Sequence, residues 1–235
     1  MTRSLIAAAL LAAMCCGSAV AQTSGLVTVS IAKEMFDEHS FWNVMCKKLL
    51  AERDFDYAYI KAPSFANEEC LLVGDGTLTK IEPEFRIWAY IRFLQLNDEE
   101  KAKRKKKFDN PPQLTITTLQ VDKELTKALL SLMRSAAYSA TQYCRTFKPA
   151  NGRVMNVMDD TNHYLIPSSQ YDEGAAKVHA SRLSHYPAAK ALTETLESVC
   201  ANFTPEGMEA LQSTITDLER LKQMFDDCVP AEHRE

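Results

Sequence analysis

Hydrophobic and polar positions along this chain repeat with two periods, and the helical one dominates its second half. In residues 122–146, Leu125, Leu129, Leu132, Met133, Ala136, Ala140 and Tyr143 fall on one stripe, while Lys123, Lys127 and Arg134 fall off it. Steps of three and four residues are those of an amphipathic helix. Thr204-Pro205-Glu206 joins an N-cap hydroxyl, a proline suited to the first helical position and an acid in the first turn. The stripe Met208, Leu211, Ile215, Leu218 and Phe225 follows and Pro230 stops it, which predicts one helix over 205–227. Pro187 opens another over 187–202. Ser169 to Asp172 has capping-box spacing and predicts a helix near 170–184. Upstream, Phe41, Met45 and Leu49 recur at i, i+4 within a helix over 32–52.

The strand signals are weaker. Residues 25–31 alternate apolar and polar, and Leu114 to Val121 carries Ile116 among three threonines. Residues 84–96 fit both periods. Period two groups Phe85, Ile87, Ala89, Ile91 and Phe93; the helical period groups Phe85, Trp88, Ile91 and Leu94 or Gln95. Their aromatic and β-branched content tilts them toward strand. Pairing with 114–121 would then need a connection, 97–113, longer than usual. Val154–Met158 and His163–Ile166 flank Asp159-Asp160-Thr161-Asn162 as a small hairpin. Residues 53–83, punctuated by Pro63, Asn67, Gly74-Asp75-Gly76 and Pro83, read as loop. The expected fold is a helix-dominated α+β domain with a small antiparallel β element.

The first 21 residues set the expected compartment. Arg3 supplies a positive n-region, Leu5 to Met14 an apolar h-region, and Ala19-Val20-Ala21 a small-x-small cleavage signature. The apolar run is too short for a membrane anchor, and Met14 is the wrong residue to precede a lipid-bearing Cys15. Residues 1–21 are therefore expected to leave after Ala21. Residues 22–235 remain as one exported domain, periplasmic or secreted, with no transmembrane segment after cleavage. The remaining roughly 210 residues suffice for a proper core.

Composition excludes some function classes. Seven glycines in 235 residues argue against phosphate-cradling loops and a Gly-rich barrel. The net charge of −4 becomes one unit more negative once Arg3 is lost, and gives no reason to expect nucleic acid.

Cys46, Cys70, Cys144, Cys200 and Cys228 remain after cleavage, and export predicts that most are paired. Cys46 with Cys70 is the natural short-range bridge. A single helix over 205–227 would be roughly 35 Å long, too long for Cys200 to meet Cys228. Cys200 therefore pairs with Cys144, and Cys228 is the expected free thiol. The fold is thus expected to be disulfide-stabilised; the alternative is five reduced, buried cysteines acting as small hydrophobes.

Lys101, Lys103, Arg104, Lys105, Lys106 and Lys107 form the strongest charge run, read as a loop that contacts an acidic partner or an anionic surface. No aromatic interleaves them, so no base-stacking platform is indicated. A solvated loop or helix end whose lysines repel each other and stay mobile is the competing reading. Asp159, Asp160 and His163, with His179 or His185, match no metal-loop spacing. Gly-x-Ser-x-Gly and Ser-x-x-Lys elements are absent. The aromatic group Phe41, Trp42, Phe85, Trp88 and Tyr90 reads as core. No catalytic, cofactor or metal residue is therefore assigned.

The leading expectation is a non-catalytic exported module that binds another envelope or secreted protein, of inhibitor or toxin-neutralising immunity type. One alternative is an envelope hydrolase assembled from distant His, Asp and Glu residues. The other is an envelope component docked electrostatically through the lysine run.

Overall fold

The computed structural model describes residues 24–29, 48–108, 110–143, 161–168 and 175–229. Their strands are β1 (Val27–Val29), β2 (Tyr57–Pro63), β3 (Glu69–Gly74), β4 (Thr77–Pro83), β5 (Leu114–Gln120), β6 (Thr161–Pro167) and β7 (Ala175–His179). They form one sheet of order β1-β7-β6-β2-β3-β4-β5, antiparallel at every pairing. The helices are α1 (Ile87–Leu94), α2 (Asp98–Phe108), α3 (Lys123–Tyr143), α4 (Pro187–Ala201), α5 (Pro205–Gln212) and α6 (Ile215–Asp226), with a 3-10 helix at Ala180–His185.

The sheet is covered on both faces. Tyr57, Tyr59, Leu71, Val73, Leu78, Leu165 and Val178 point into one core, which they share with α3, α4, α5 and α6. Ala58, Ile60, Cys70, Leu72, Ile81 and Ile166 point into the other, closed by α1 and by Leu49 and Leu50. Strand side chains alternate between faces, so β2 contributes its tyrosines to one core and Ala58 and Ile60 to the other. Both faces being apolar, the strand has no polar half to reveal it.

These findings overturn the expected helix-dominated, disulfide-stabilised α+β fold with a small β element. Three of the seven strands lie within 53–83, the stretch read as loop. The residues taken as loop signals bound the strands instead. Pro63, Gly74 and Pro83 are the last residues of β2, β3 and β4, and Asp75-Gly76 is the two-residue turn between Gly74 and Thr77. Gly76 has φ +71°, a left-handed conformation glycine adopts without strain. Its N–H donates to Thr126 Oγ1 at 3.1 Å, fastening the turn to α3.

Other expectations divide. The strands over 25–31 and 114–121 are present as β1 and β5, and the helices over 122–146 and 187–202 as α3 and α4. Residues 84–96 form a helix rather than a strand, and β5 pairs with β4. The helix near 170–184 is replaced by β7 and the 3-10 turn, because β7 gains ladder partners on both sides, β1 and β6. The helix over 205–227 breaks at Ser213–Thr214. There the hydroxyls of Ser213 and Thr214 donate to Ala210 O and Leu211 O, both at 2.7 Å, an arrangement that bends helices.

The expected bridges are also corrected. Cys70, Cys200 and Cys228 each carry a thiol rather than a bridge. Cys70 lies in the core beneath α1 and Cys200 in the core on the opposite face. Both act as small buried hydrophobes. Cys228 is a thiol as expected but not the odd one out, and the straight-helix premise that separated it from Cys200 fails at Ser213–Thr214. Cys46 and Cys144 lie outside the described residues, as do residues 1–21, Phe41, Trp42, the segment 154–158, Asp159 and Asp160, and the Ser169–Asp172 capping box. Of the helix over 32–52, only residues 48–50 are described. No helix among the described residues is long and apolar enough to cross a membrane.

Candidate functional site

Two features stand out from the packed body: a charged groove at one end of the sheet and the basic helix α2.

The groove follows from the strand register. Tyr59, Lys61, Glu69, Lys80, Glu82 and His163 share the face packed by α4, because Lys61 pairs with both Glu69 and His163, and Lys80 pairs with Leu71. Where the apolar stripe of α4 ends, charges replace hydrophobes. Lys61 Nζ lies 2.8 Å from Glu197 of α4, and Lys80 Nζ lies 3.1 Å from Glu69 and 3.0 Å from Glu82. Beyond them a cavity of about 700 Å³ opens at the sheet end, walled by Lys61, Asn67, Glu69, Glu82 and Thr115.

Protonation in this cluster moves away from reactivity. Burial lowers the pKa of the Lys80 ammonium, but hydrogen bonds to Glu82 and Glu69 more than offset this and leave it raised. Burial pushes the Cys200 thiol far up, and Glu69 adds to the shift. Burial likewise lifts the Tyr59 hydroxyl well above its ordinary value, with Glu197, Cys200 and Glu69 contributing. A nucleophile or general base works when its pKa is brought toward neutrality; each of these groups is held in its protonated form.

His163 and His185 occupy different settings. His163 is buried and shares a 2.8 Å hydrogen bond with Tyr59 through Nδ1. His179 ends β7, where its backbone pairs in register with Asn162. His185 is exposed at the end of the 3-10 helix. Among the described residues no group of three or more His, Cys, Asp or Glu is placed to hold a metal.

The lysine run is a helix, which corrects the expected loop. Asn97 Oδ1 accepts the N–H of Glu100 at 2.9 Å, an N-cap, and Asp98, Glu99 and Glu100 fill the first turn, where the helix dipole favours acids. Lys103 pairs with Glu99 at 2.7 Å. At the other end Phe108 is buried, its ring 5.2 Å from Phe93 and 5.5 Å from Phe85. Lys103 and Arg104 are exposed, and Lys101 is half-buried; Lys105, Lys106 and Lys107 continue the same helix. The acids lie at its start and the bases along the rest, so α2 is a charged rod fastened at Phe108.

Sequence reasoning missed Glu68, whose buried carboxylate accepts the N–H groups of Ile87 at 2.7 Å and Trp88 at 3.0 Å. It caps α1 from 19 residues upstream, where no local motif would reveal it. Trp88 packs against the core beneath α1, as expected, with the Arg92 guanidinium 5.4 Å from its ring centre.

No protein-family model matches the chain, and comparison with curated proteins and with solved structures found no match.

Proposed function

We propose that the chain is an exported, non-catalytic module that binds a partner protein through α2. The observation that carries this reading is the construction of α2. Its acidic first turn, its Asn97 cap and the Phe108 anchor hold a row of basic residues in one geometry. A loop of six like charges would stay extended and mobile; this run is given a fixed shape. A shaped basic surface steers an acidic partner and accelerates encounter in a salt-dependent way. The charged groove supports the non-catalytic half of the reading, since its lysines are matched by carboxylates and its thiol is buried. The leader-like first 21 residues support export, which makes an envelope or secreted protein the expected partner.

The test is site-specific photocrosslinking in envelope extract, with the photoreactive group at Arg104 and a control at Glu206 on α5. A discrete, salt-sensitive protein adduct from position 104 and none from 206 supports the reading. No adduct, or the same adducts from both positions, overturns it. Pelleting with anionic vesicles instead of a protein adduct would assign the lysines to a membrane surface.

A further inference from the structure

Among the described residues strand β5 is one edge of the sheet, and its ladder with β4 determines which of its backbone groups face away from β4. Glu84 N–H donates to Gln113 O at 2.8 Å and Val121 N–H to Gly76 O at 3.0 Å. In an antiparallel ladder such pairs alternate along the strand. Positions 113, 115, 117, 119 and 121 therefore turn their N–H and C=O toward β4, and Leu114, Ile116, Thr118 and Gln120 turn theirs to the open side. Among the described residues no strand covers that side.

Native edges are usually blunted by a bulge, a lysine, a proline or a very short strand. β5 has none of these. Its seven residues, Leu-Thr-Ile-Thr-Thr-Leu-Gln, all pair with β4 in unbroken register, and none is charged. Four consecutive positions, 115–118, are exposed, and Ile116 is 46 % accessible.

We propose that β5 pairs antiparallel with β5 of a second copy of this chain, across a two-fold axis at Ile116. In that register Ile116 sits opposite itself and Leu114 sits opposite Thr118. All three belong to the outward-facing set, so their N–H and C=O groups meet reciprocally as hydrogen-bonded pairs. The two exposed isoleucines cover each other, and threonine pairs form beside them. That arrangement already exists within the chain, where Thr79 and Thr118 join hydroxyls at 2.9 Å across β4 and β5. No charged side chain meets its own copy at the axis.

Antiparallel pairing brings the chain just before β5 in one copy to the chain just after it in the other, so the exposed Asn110 comes opposite the exposed Asp122 and no like charges meet there. The same operation keeps the two α2 helices at opposite ends of the shared ladder. The pairing stands whether or not α2 also engages another protein.

Sedimentation equilibrium of the purified chain tests this. Wild type should show a concentration-dependent monomer–dimer equilibrium. Thr118→Pro deletes an outward N–H while sparing the β4 ladder, a position where an edge strand tolerates proline. Ile116→Lys places two like charges across the axis. Each should weaken dimerisation by about tenfold or more, with far-UV circular dichroism unchanged. Phe65→Ser, which removes a different exposed hydrophobic side chain, should dimerise as wild type does. If Thr118→Pro fails to fold, Ile116→Lys decides alone. A wild type that stays monomeric at all concentrations, or a dimer that survives Ile116→Lys, overturns the proposal.

Discussion

Tyr59 and His163 share a buried 2.8 Å hydrogen bond between β2 and β6, the central strands of the sheet. Lys61, not Tyr59, lies directly opposite His163, so the bond runs diagonally across the ladder. Diagonal neighbours on one face are within reach only of long or aromatic side chains. The rings are also nearly parallel, 15° apart at 6.0 Å. This polar contact sits where leucines and alanines would otherwise fill the core beneath α4.

Replacing Tyr59 with Phe keeps the ring and deletes the bond. The expected loss is about 1 kcal/mol, the net worth of a typical intramolecular hydrogen bond, read from urea unfolding. A change below about 0.5 kcal/mol would show that His163 finds an equal partner and that the bond is not structural.

Glu68 supports a second prediction. α1 has Arg86 at its N-cap position, and Arg86 makes no side-chain cap. The Glu68 carboxylate does this work from the loop between β2 and β3, accepting two N–H groups at the positive end of the helix. Glu68→Gln keeps the size but presents an amide N–H to a backbone donor. We expect about 1.5–3 kcal/mol of destabilisation and faster amide exchange across Ile87–Leu94. Unchanged exchange would show that α1 is held by its apolar contacts alone.

The same residue shows what was legible in the sequence. α3 was readable from its single apolar stripe and α4 from Pro187 at its start, both local features. α1 was not, because its cap comes from Glu68 and its short apolar run serves either period. β2 and β3 were hidden by two-sided burial, and their proline and glycine ends looked like loop. β7 was read as helix because Ser169 to Asp172 just before it has capping-box spacing, yet pairing on both sides outweighs that local signal.

Of the site, the basic residues of α2 were legible and their shape was not. The shape depends on Phe108 meeting Phe85 and Phe93, contacts that only the tertiary fold creates. The charged groove was invisible for a similar reason. Lys61, Glu69, Lys80 and Glu197 lie on four elements, and only sheet register and the placement of α4 bring them together.

Thiol chemistry gives a third prediction. Burial, with a smaller contribution from Asp227, pushes Cys228 from 9.0 up to about 11, and its thiol lies 3.2 Å from Met224 O. At pH 8 its thiolate fraction should be about 100-fold lower than in the unfolded chain, and iodoacetamide labelling correspondingly slower. A raised folded pKa means its contribution to stability is fully present below pH 9 and is lost as pH rises through about 11. The urea midpoint should fall across that window, and Cys228→Ala should flatten part of the fall. Mass mapping that finds Cys70 or Cys200 in a bridge would sink the thiol assignment.

The anchoring of α2 is the last test. An isolated helix of this length is marginal in water, and neighbouring like charges oppose it further. Local ion pairs such as Glu99–Lys103 return only a few tenths of a kcal/mol each. Burial of Phe108 must therefore supply most of what holds the helix. Phe108→Ala removes a buried aromatic, a change that costs about 3–5 kcal/mol in a closed core. Here the cost should fall locally, releasing α2 while β2, β3 and β6 stay folded. Trypsin should then cut rapidly within Lys101–Lys107, and amide exchange should rise over Asp98–Phe108 without a matching rise in the sheet. Phe108→Leu should restore much of the protection, since it refills the space against Phe93. Equal trypsin resistance in wild type and Phe108→Ala would mean that α2 is held by its charges, and the aromatic clasp would lose its role.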